Sequence, residues 1–335
     1  MIVFTSGNMV GTLRLEKHLG AGAFGSVFLA TEVMLNRKCA VKFIKSANPR
    51  QFKEHVEGQI LAKCRHENVV EVYDINVHNN DGDLYASIEM EYMPNGSLEA
   101  YINNKFLSIK ETIKLIIDVL FALEHAHANN ILHRDVKPAN IMIGVNSAKI
   151  ADFGIAASVD ETKIGSVAGT PVYCAPEIFQ PGAVCSVQTE IFSVGMTLFQ
   201  AISNFTDWGS KLTDAKYISQ GDTIKRVGYA SYIPRRMRNI CNTACNKDPA
   251  KRYQTARKMR QALEDLHINI DWHRLDDLHW EGFDEKKRKH TVQICNNDEF
   301  IYKINDRKKS GECKKFNTLA EARAYIEKYV YDNTF

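Results

Sequence analysis

Four side chains between residues 135 and 152 have the types and spacing that phosphoryl transfer requires. Asp135 can accept a proton from a hydroxyl group, and Lys137 can neutralise charge on a transferred phosphoryl group. Asn140 and Asp152 can supply the hard oxygen ligands that Mg²⁺ prefers. Any one of them alone would more often be a solvated loop residue. Because they occur together and in this order, the segment predicts magnesium-assisted phosphoryl transfer.

A glycine-rich segment upstream could hold the phosphate groups for this reaction. Residues 20–25 read Gly-Ala-Gly-Ala-Phe-Gly, and strand-like residues flank them on both sides. Those flanks favour a hairpin folding over a nucleotide, because a dinucleotide fold would need a helix after the glycines. Backbone amides can approach phosphate oxygens closely where there are no side chains. The segment therefore predicts a lid over phosphates.

These segments resemble the motifs of the eukaryotic-type (Hanks-type) serine/threonine protein kinases. Residues 133–140 read His-Arg-Asp-Val-Lys-Pro-Ala-Asn and match the catalytic loop of the family. Residues 152–154 read Asp-Phe-Gly, and residues 169–177 close an activation segment. The resemblance covers about residues 12–267 and is compatible with a bacterial source. It implies ATP and Mg²⁺ as cofactors and proteins with serine or threonine acceptors as substrates.

The resemblance assigns catalytic roles to individual residues. Asp135 would orient the acceptor hydroxyl, and Lys137 would steady the transferred phosphoryl group. Asn140 and Asp152 would hold the magnesium ion. Lys137 together with Thr170 matches the serine/threonine-specific branch of the family better than the tyrosine-specific branch.

Lys42 ends a strand-like run and is placed like the lysine that holds the α- and β-phosphates in kinases. Alone, it would more often be a surface charge. The ion-pair partner in the active state is predicted to be Glu57, which precedes the apolar residues 60 and 61 by one helical turn. Glu54 is the alternative partner.

Residues 88–98 resemble the hinge between the two lobes of a kinase. Met90 would be the gatekeeper beside the adenine pocket, and the Glu91 carbonyl and the Met93 amide would hydrogen-bond the adenine edge. Apolar side chains would hold the ring from both sides, although the same residues would also suit an ordinary core. The predicted ATP-binding residues are Gly20, Ala21, Gly22, Ala23, Phe24, Gly25, Val27, Ala40, Lys42, Met90, Glu91, Met93 and Met142.

Phosphorylation of the activation loop is a candidate control. In kinases with an arginine before the catalytic aspartate, as Arg134 is here, that arginine often binds an activation-loop phosphate. Ser158, Thr162 and Ser166 are the candidate acceptors, and Thr162 and Ser166 are favoured over Ser158. The alternative is that they are ordinary polar loop residues and that the kinase is constitutively active.

Two features of the sequence concern residues that hold the catalytic loop and the activation segment in place in the large lobe. Where the family usually has an aspartate that anchors the catalytic loop, this chain has Glu190, and Phe192 replaces the usual tryptophan. The longer glutamate needs a shifted helix or another rotamer to make the same bonds, so the departure bears on the rigidity of the loop. Glu177 is predicted to form a structural ion pair with Arg252.

The predicted fold class is α+β: a bilobal protein kinase fold followed by a small C-terminal module. A β-rich small lobe should span residues 12–93 and a mostly α-helical large lobe residues 94–267. Within the large lobe, residues 109–128 form an amphipathic pattern and predict a long helix. Residues 268–335 predict an accessory β-β(-β)-α module whose helix covers about residues 319–331.

The role of the C-terminal module is left open among three alternatives. Trp272, Trp280 and Phe283 are interpreted as a junction that precedes the strands, and residues 296–299 as a turn. Docking of a protein partner is favoured. Basic residues near aromatic ones could instead contact nucleic acid, but acidic residues are almost as numerous. The third alternative is an appendage that only steadies the large lobe.

Composition agrees with a globular enzyme. Of the 335 residues, 44% are hydrophobic, and a net charge of +3 is too small to imply a nucleic-acid or membrane partner by itself. The eight cysteines include no C-x-x-C pair, which favours reduced thiols and a cytoplasmic location. Neither a signal peptide nor a membrane-spanning run is expected.

Two other classes of function compete with an active protein kinase. A pseudokinase scaffold or nucleotide-binding signalling module would typically lack one of Lys42, Asp135 and Asp152, and all three are present. A small-molecule kinase with a similar bilobal fold would lack a segment that seats a peptide. The motifs around Thr170 and Glu177 argue against that class.

Overall fold

The computed structural model describes residues 4–22, 25–45, 48–56, 63–80, 83–145, 147–153, 171–212, 214–296 and 298–335. Its N-terminal part is an antiparallel sheet with strand order β1-β2-β3-β4-β6-β5. A helix, α1 (Pro49–Val56), lies between β4 and β5 in the chain. The strands are β1 Met9–Val10, β2 Leu13–Gly22, β3 Gly25–Glu32, β4 Arg37–Lys45, β5 Val72–Asn80 and β6 Asp83–Glu91.

The alternation of side chains along β4 explains how this sheet serves both a core and a cleft. Val41 and Phe43 point to one face, where they pack in a cluster with Leu15 and Phe28. Ala40 points to the opposite face and joins the main core of the molecule. Lys42 shares that second face and is therefore directed between the lobes, where it is 6% exposed.

Helices dominate the large lobe in the part of the chain that the structure describes. A short hairpin also occurs there, pairing β7 (Ile141–Ile143) with β8 (Ala148–Ile150). The helices after α1 are α2 Leu98–Asn104, α3 Ile109–Ala128, α4 Val187–Ser203, α5 Trp208–Lys211, α6 Lys216–Ser219, α7 Thr223–Val227, α8 Arg235–Ala244, α9 Ala256–Glu264 and, in the C-terminal module, α10 Leu319–Asn333.

Helix α3 confirms the predicted amphipathic helix at residues 109–128. The Ser108 side chain caps its start by accepting a hydrogen bond from the Glu111 backbone N–H at 3.1 Å. Its apolar face is buried in the core of the lobe, as the spacing predicts; that face includes Ile113, Ile116, Leu120 and Leu123. The helix ends immediately before the loop that carries the predicted catalytic residues.

Helix α4 is the central element of the large lobe. It begins with a capping box between Ser186 and Thr189, and thirteen of its seventeen residues are buried. Gly195 lets α4 and α8 approach closely, because a Cβ atom there would lie 2.6 Å from the Cys245 sulfur. The helix is thus closely packed against its neighbours, which makes it a firm support for the loops that contact it.

The C-terminal residues form a second antiparallel sheet with the order β13-β12-β11-β10-β9. The short strand β14 pairs with β12, and α10 packs against β11 and β12. The strands are β9 Ile270–Asp276, β10 His279–Asp284, β11 Lys289–Cys295, β12 Glu299–Ile304, β13 Arg307–Lys308 and β14 Lys314–Lys315.

The predicted β-β(-β)-α pattern of this module is wrong in its strand count. Trp272, Trp280 and Phe283, interpreted as a junction, lie within β9 and β10, so four full strands precede the helix. The apolar pattern does not reveal these two strands because Asp276 and Asp277 interrupt it at the turn. The predicted helix near residues 319–331 is confirmed and extends to residue 333.

An aromatic cluster joins this module to the large lobe. The Trp280 ring lies 5.2 Å from the Phe106 ring and 5.0 Å from the Tyr232 ring, both centroid to centroid. Trp280 is 1% exposed. The Ser231 hydroxyl also donates a hydrogen bond to the Glu327 carboxylate on α10. Burial of this aromatic surface fixes the module against the large lobe.

The α+β bilobal class predicted from the sequence is confirmed by this arrangement. No described helix has both the length and the apolar character needed to cross a membrane.

Candidate active site

The catalytic loop brings three of the predicted residues into direct contact. The Asn140 amide donates hydrogen bonds to the Asp135 carboxylate at 2.9 Å and to the Asp135 backbone carbonyl at 2.8 Å. The Lys137 ammonium lies 2.8 Å from the same carboxylate oxygen. Because its NH₂ group faces Asp135, the Asn140 carbonyl oxygen is left as the ligand-forming end of the amide. The loop therefore combines an acceptor for a hydroxyl proton, a cation and a hard oxygen ligand.

His133 fixes this loop against the segment that leads to Asp152. Its Nδ1 accepts a hydrogen bond from the Asp135 backbone N–H at 3.2 Å, so its Nε2–H donates to the Ala151 carbonyl at 2.7 Å. The ring is fully buried and packs edge-on against Phe153, with 4.7 Å between centroids. The imidazole thus holds the two predicted catalytic carboxylates in a fixed relation.

Lys42 reaches across the cleft to Asp152. Its ammonium lies 2.5 Å from the Asp152 carboxylate, which joins the small lobe to the predicted metal ligand. Asp152 has a left-handed backbone with φ +66°, an uncommon conformation that is often found at functional positions. Glu54, the alternative partner for Lys42, is exposed on α1. The preferred partner Glu57 lies outside the described residues.

A cavity of about 450 Å³ lies between the lobes, beside Lys42 and Asp152. The β4–β6 register places Ala40 directly opposite Met90, which brings the predicted gatekeeper to the back of the cavity. The structure brings together ten of the residues predicted to bind nucleotide or metal, all of which line this cavity: Gly20, Val27, Ala40, Lys42, Met90, Glu91, Met93, Asn140, Met142 and Asp152.

Some cavity residues were missed by the sequence reasoning. Leu19, Val70, Ala100 and Ala151 also line it. Leu19 could have been found as the residue preceding the first glycine of the lid. Val70 and Ala151 reach the cavity only because the chain after α1 runs beside β8, where Val69 pairs with Ile150. A single sequence carries no signal for that pairing.

The glycine-rich segment is a hairpin, as predicted. Strands β2 and β3 pair up to Gly22 and Gly25, which are opposite each other. Gly25 has φ +135°, and a Cβ atom at this position would overlap the Phe43 carbonyl oxygen. Only glycine fits there, so Gly25 sets the close approach of the hairpin to β4. Ala21 and Gly25 lie near the tip of this hairpin and are not among the described residues that line the cavity.

Glu190 anchors the catalytic loop, although its side chain is longer than the aspartate usual at this position. One carboxylate oxygen accepts a hydrogen bond from the Arg134 backbone N–H at 2.6 Å, and the other accepts one from the His127 Nε2 at 2.6 Å. Glu190 is 2% exposed, so both bonds are shielded from water. Arg134 has a left-handed φ of +71°, and the bond to its N–H holds that conformation. The longer side chain therefore still anchors the catalytic loop.

The predicted ion pair between Glu177 and Arg252 is confirmed. The Arg252 guanidinium contacts both carboxylate oxygens, at 2.6 and 2.7 Å, in a bidentate arrangement. It also donates to three backbone carbonyls and lies over the Phe192 ring, 5.0 Å from its centroid. The Arg252 side chain is fully buried. This pair fixes the end of the activation segment to α4 and to the loop before α9.

Electrostatics near Asp135 affect a neighbouring thiol. Burial, followed by the negative charge of Asp135, raises the pKa of Cys174 to about 11. Cys174 is therefore a neutral thiol at physiological pH and not a nucleophile.

Several predicted residues lie outside the described residues: Ala23, Phe24, Ser158, Thr162, Ser166 and Thr170.

The oxygen donors present fit a magnesium ion. Asn140 and Asp152 both line the cavity, and hard oxygen donors of this kind are the ligands that Mg²⁺ uses when it also binds substrate phosphates. No cluster of three or more His, Cys, Asp or Glu residues suited to a metal occurs among the described residues. The donor set thus fits an ion that is held partly by nucleotide phosphates.

The arrangement of two lobes, a glycine hairpin and this catalytic loop defines a class of phosphoryl-transfer proteins. A model of the protein kinase domain matches residues 13–265 of the chain. The chain therefore belongs to the protein kinase family, and the predicted resemblance to Hanks-type serine/threonine kinases is confirmed.

Bacterial proteins are among its relatives. The chain is 30% identical over 300 residues to the serine/threonine-protein kinase PrkC of Bacillus subtilis, covering 86% of this chain and 45% of PrkC. It is 30% identical over 277 residues to PknB of Mycobacterium tuberculosis, covering 78% of this chain and 44% of PknB. The chain thus spans less than half the length of these curated relatives.

Solved structures show the same fold. The crystal structure of a single cysteine-to-alanine mutant of the Mycobacterium tuberculosis PknI kinase domain superposes with a TM-score of 0.58 at 22% identity. The match covers 79% of this chain and 99% of the PknI domain. The PknI kinase domain without that mutation gives a TM-score of 0.56 at the same identity and the same coverage of both chains.

Proposed function

We propose that this protein is an ATP- and magnesium-dependent serine/threonine protein kinase. The main observation in support is that Lys137 and Asn140 both contact Asp135 in the catalytic loop. The loop lies beside a cavity lined by Lys42 and Asp152, which contact each other. Its relatives PrkC and PknB are named serine/threonine-protein kinases, which supports the same assignment. The reaction transfers the γ-phosphoryl group of ATP to serine or threonine hydroxyls of proteins.

One group of residues binds the nucleotide and the metal ion. The hinge at Glu91 and Met93 offers backbone groups to the adenine edge, and Lys42 supplies positive charge for the α- and β-phosphates. Magnesium, when bound by Asn140 and Asp152, supplies charge stabilisation for the β- and γ-phosphates.

The acceptor hydroxyl is handled by the catalytic loop. The Asp135 carboxylate orients the hydroxyl and accepts its proton, while the Lys137 ammonium, held 2.8 Å from Asp135, offsets negative charge as the phosphoryl group moves. Both groups are positioned before substrate arrives, so catalysis rests mainly on positioning and electrostatics.

The alternative is a pseudokinase scaffold or a nucleotide-binding signalling module. It is disfavoured because Lys42, Asp135 and Asp152 are all present and lie in contacts suited to catalysis. We further propose that the kinase phosphorylates its own activation loop, with Thr162 and Ser166 favoured over Ser158.

Location and partners are also proposals. Buried thiols such as Cys39, Cys64 and Cys241 favour a reducing compartment, so the cytoplasm is the proposed location. Besides its serine- and threonine-containing substrates, the protein is proposed to dock a protein partner through its C-terminal module. A nucleic-acid partner is less favoured, because acidic residues are as numerous as basic ones in the module.

The decisive experiment compares wild-type protein with Asp135→Asn after incubation with labelled ATP and Mg²⁺, followed by mass spectrometric mapping of phosphate. Asp332→Asn, the same change at an exposed aspartate of α10, is the control. Label on serine or threonine in wild type and control, but not in Asp135→Asn, is expected. If neither a generic peptide nor the protein itself is labelled, the scaffold alternative replaces the kinase.

A parallel assay distinguishes a protein kinase from a small-molecule kinase. Peptides with serine or threonine are offered beside aminoglycosides and sugars. Transfer to peptides is expected, whereas transfer only to the small molecules would contradict the proposal.

A further inference from the structure

The C-terminal module carries its charges in two separate groups. Residues 268–335 contain 13 basic and 13 acidic side chains, so the module as a whole is neutral. Ten of the basic residues lie between residues 286 and 315, where only four acidic residues occur. The rest of the module contains three basic and nine acidic residues. The positive charge is therefore concentrated in β11–β14 and the turns beside them.

The fold brings two basic turns together at one end of the sheet. The turn between β10 and β11 and the turn between β12 and β13 are joined by a pair of hydrogen bonds. The Lys289 backbone N–H donates to the Asn305 side chain at 2.9 Å, and the Asn305 N–H donates to the Lys289 carbonyl at 2.8 Å. Residues 286–289 and 307–309, which are distant in sequence, therefore form one surface.

The first of these turns is held rigidly. The Asp284 carboxylate accepts hydrogen bonds from the Arg288 backbone N–H at 2.8 Å and from the Arg288 guanidinium at 2.6 Å. Lys287 has a left-handed φ of +57° within this turn, a conformation that glycine or asparagine would adopt with less strain. The turn thus displays a lysine at its tip where a smaller residue would suit the backbone better.

Part of the basic charge has no acidic partner in the described part of the chain. Arg288 pairs with Asp284 and Lys289 with Glu281, both at 2.6 Å. In contrast, four exposed cations have no acidic partner among the residues that the structure describes: Lys286, Lys287, Arg307 and Lys309. We call these four residues the basic end of the module.

An apolar side chain lies next to the basic end. Phe283 is 50% exposed and sits opposite Lys289 in the β10–β11 register. A large exposed aromatic beside cations suits a ligand that has both apolar and negative groups. The acidic side chains Glu285 and Asp306, which are also exposed here, would repel a continuous chain of phosphates. A protein segment can place its charges between them, whereas a nucleic acid cannot.

We infer that the basic end, together with Phe283, docks an acidic segment of the protein substrate, so that the kinase recognises its substrates at a second surface besides the active site. This inference rests on the proposed kinase function and specifies the substrate class. Since Trp280 fixes the module to the large lobe through Phe106 and Tyr232, a docked segment is held on the same rigid body as the active site. Its serine or threonine is then presented at a raised effective concentration.

Direct binding provides the first test. Fluorescence polarisation, without ATP, measures the affinity of the intact 335-residue chain for a labelled short peptide rich in glutamate and containing one phenylalanine. The same peptide with glutamine for glutamate and a single-stranded oligonucleotide of equal length serve as comparison probes. Binding of the acidic peptide is expected, weakening with salt. Equal binding of the glutamine peptide, or tighter binding of the oligonucleotide, overturns the inference.

Charge reversal locates the site. Lys286→Glu, Arg307→Glu and Lys309→Glu in one protein are expected to weaken binding of the acidic peptide by about tenfold, as several exposed ion pairs would give. The matched control reverses three exposed lysines of the large lobe, Lys110→Glu, Lys114→Glu and Lys258→Glu. An equal loss in the control would overturn the inference, since net charge alone would then explain it. Thermal unfolding of both proteins verifies that they are folded.

A kinetic readout separates this inference from the kinase proposal. A substrate peptide with its serine joined to the acidic segment is compared with the serine peptide alone. In the wild type, the segment is expected to lower KM about tenfold with little change in kcat, and the triple reversal should remove that gain. If phosphorylation occurs but the segment gives no gain, docking is wrong and the kinase proposal stands. If the acidic peptide binds but no phosphate is transferred, the kinase proposal fails instead.

Discussion

Glu190 and Arg134 are joined by a hydrogen bond of 2.6 Å, which runs from the Arg134 backbone N–H to a carboxylate oxygen buried under the catalytic loop. The residue after Arg134 is Asp135, so this bond fixes the backbone next to the proposed proton acceptor. The second oxygen of the carboxylate accepts a hydrogen bond from His127 at the end of α3. Glu190 on α4 therefore connects the end of α3 to the catalytic loop.

Shortening this side chain should impair catalysis more than folding. In Glu190→Asp the carboxylate is one methylene shorter and cannot reach both Arg134 and His127 from an unchanged α4. The lost bond to the Arg134 N–H frees the backbone next to Asp135; if this removes about 1–3 kcal/mol of transition-state positioning, kcat falls about tenfold to a hundredfold. Steady-state kinetics measures this. Glu264→Asp, the same change in an exposed ion pair with Arg260, is the control and should behave like wild type. An unchanged kcat in Glu190→Asp would show that one bond is enough.

An alanine at the tip of the glycine hairpin should weaken ATP binding. In Gly25→Ala the new Cβ atom would meet the Phe43 carbonyl, and the positive φ would add strain. Together these effects cost about 1–3 kcal/mol, which we expect to appear as a tenfold or larger increase in KM for ATP. Gly311→Ala is a suitable control, because that position has open space around it and no left-handed backbone. Equal KM values in the two variants would argue that the hairpin does not seat the nucleotide.

Loss of the bidentate pair should reduce stability. Arg252→Lys keeps the positive charge but loses the planar fork that contacts both oxygens of Glu177 and three backbone carbonyls. We expect the free energy of unfolding to fall by about 3 kcal/mol, as measured by urea denaturation. Arg257→Lys changes an exposed arginine whose guanidinium lies 4.0 Å from Glu124, and it should alter stability by less than about 0.5 kcal/mol. A similar small change in Arg252→Lys would contradict a structural role for the pair.

The C-terminal module should depend on one tryptophan for its position. Trp280→Ala removes a fully buried ring from between Phe106 and Tyr232, with an expected loss of about 3–5 kcal/mol. Limited proteolysis followed by mass spectrometry should show faster cleavage between the large lobe and β9. Phe283→Ala, which removes a half-exposed ring from the same strand, should leave the cleavage rate nearly unchanged. Equal cleavage rates for Trp280→Ala and wild type would mean that the cluster does not hold the module.

One histidine of the module should make stability depend on pH. A hydrogen bond with Asp271 raises the pKa of His273 above its ordinary value of 6.5. His273 therefore contributes stability that is fully present below pH 6.5 and is lost as the pH rises through its raised pKa. We expect His273→Asn to flatten the pH dependence of the unfolding temperature over that range. A profile identical to that of wild type would exclude the contribution.

The sequence was sufficient for the parts of the site whose contacts are local. Asp135, Lys137 and Asn140 are within one loop, and their contacts follow from that loop alone. The pairing of Glu190 with His127 could not be predicted, because 63 residues separate them and both look like ordinary helix residues. Similarly, Val70 lines the cavity because its neighbour Val69 forms a β-bridge with Ile150, which is distant in sequence. The strands around Trp280 escape sequence reasoning because the alternation in β9 is short: only Ile270 and Trp272 are buried before charged residues and the turn at residues 276–277 interrupt the pattern.

The aromatic cluster around Trp280 has a practical consequence for anyone who shortens this chain. The kinase match ends at residue 265, which invites truncation just beyond it. Such a fragment would lose Trp280 while retaining Phe106 and Tyr232, whose rings would then meet water on the outside of the large lobe. Newly bared aromatic surface promotes self-association during expression. The end of the family homology is therefore not the end of the folding unit.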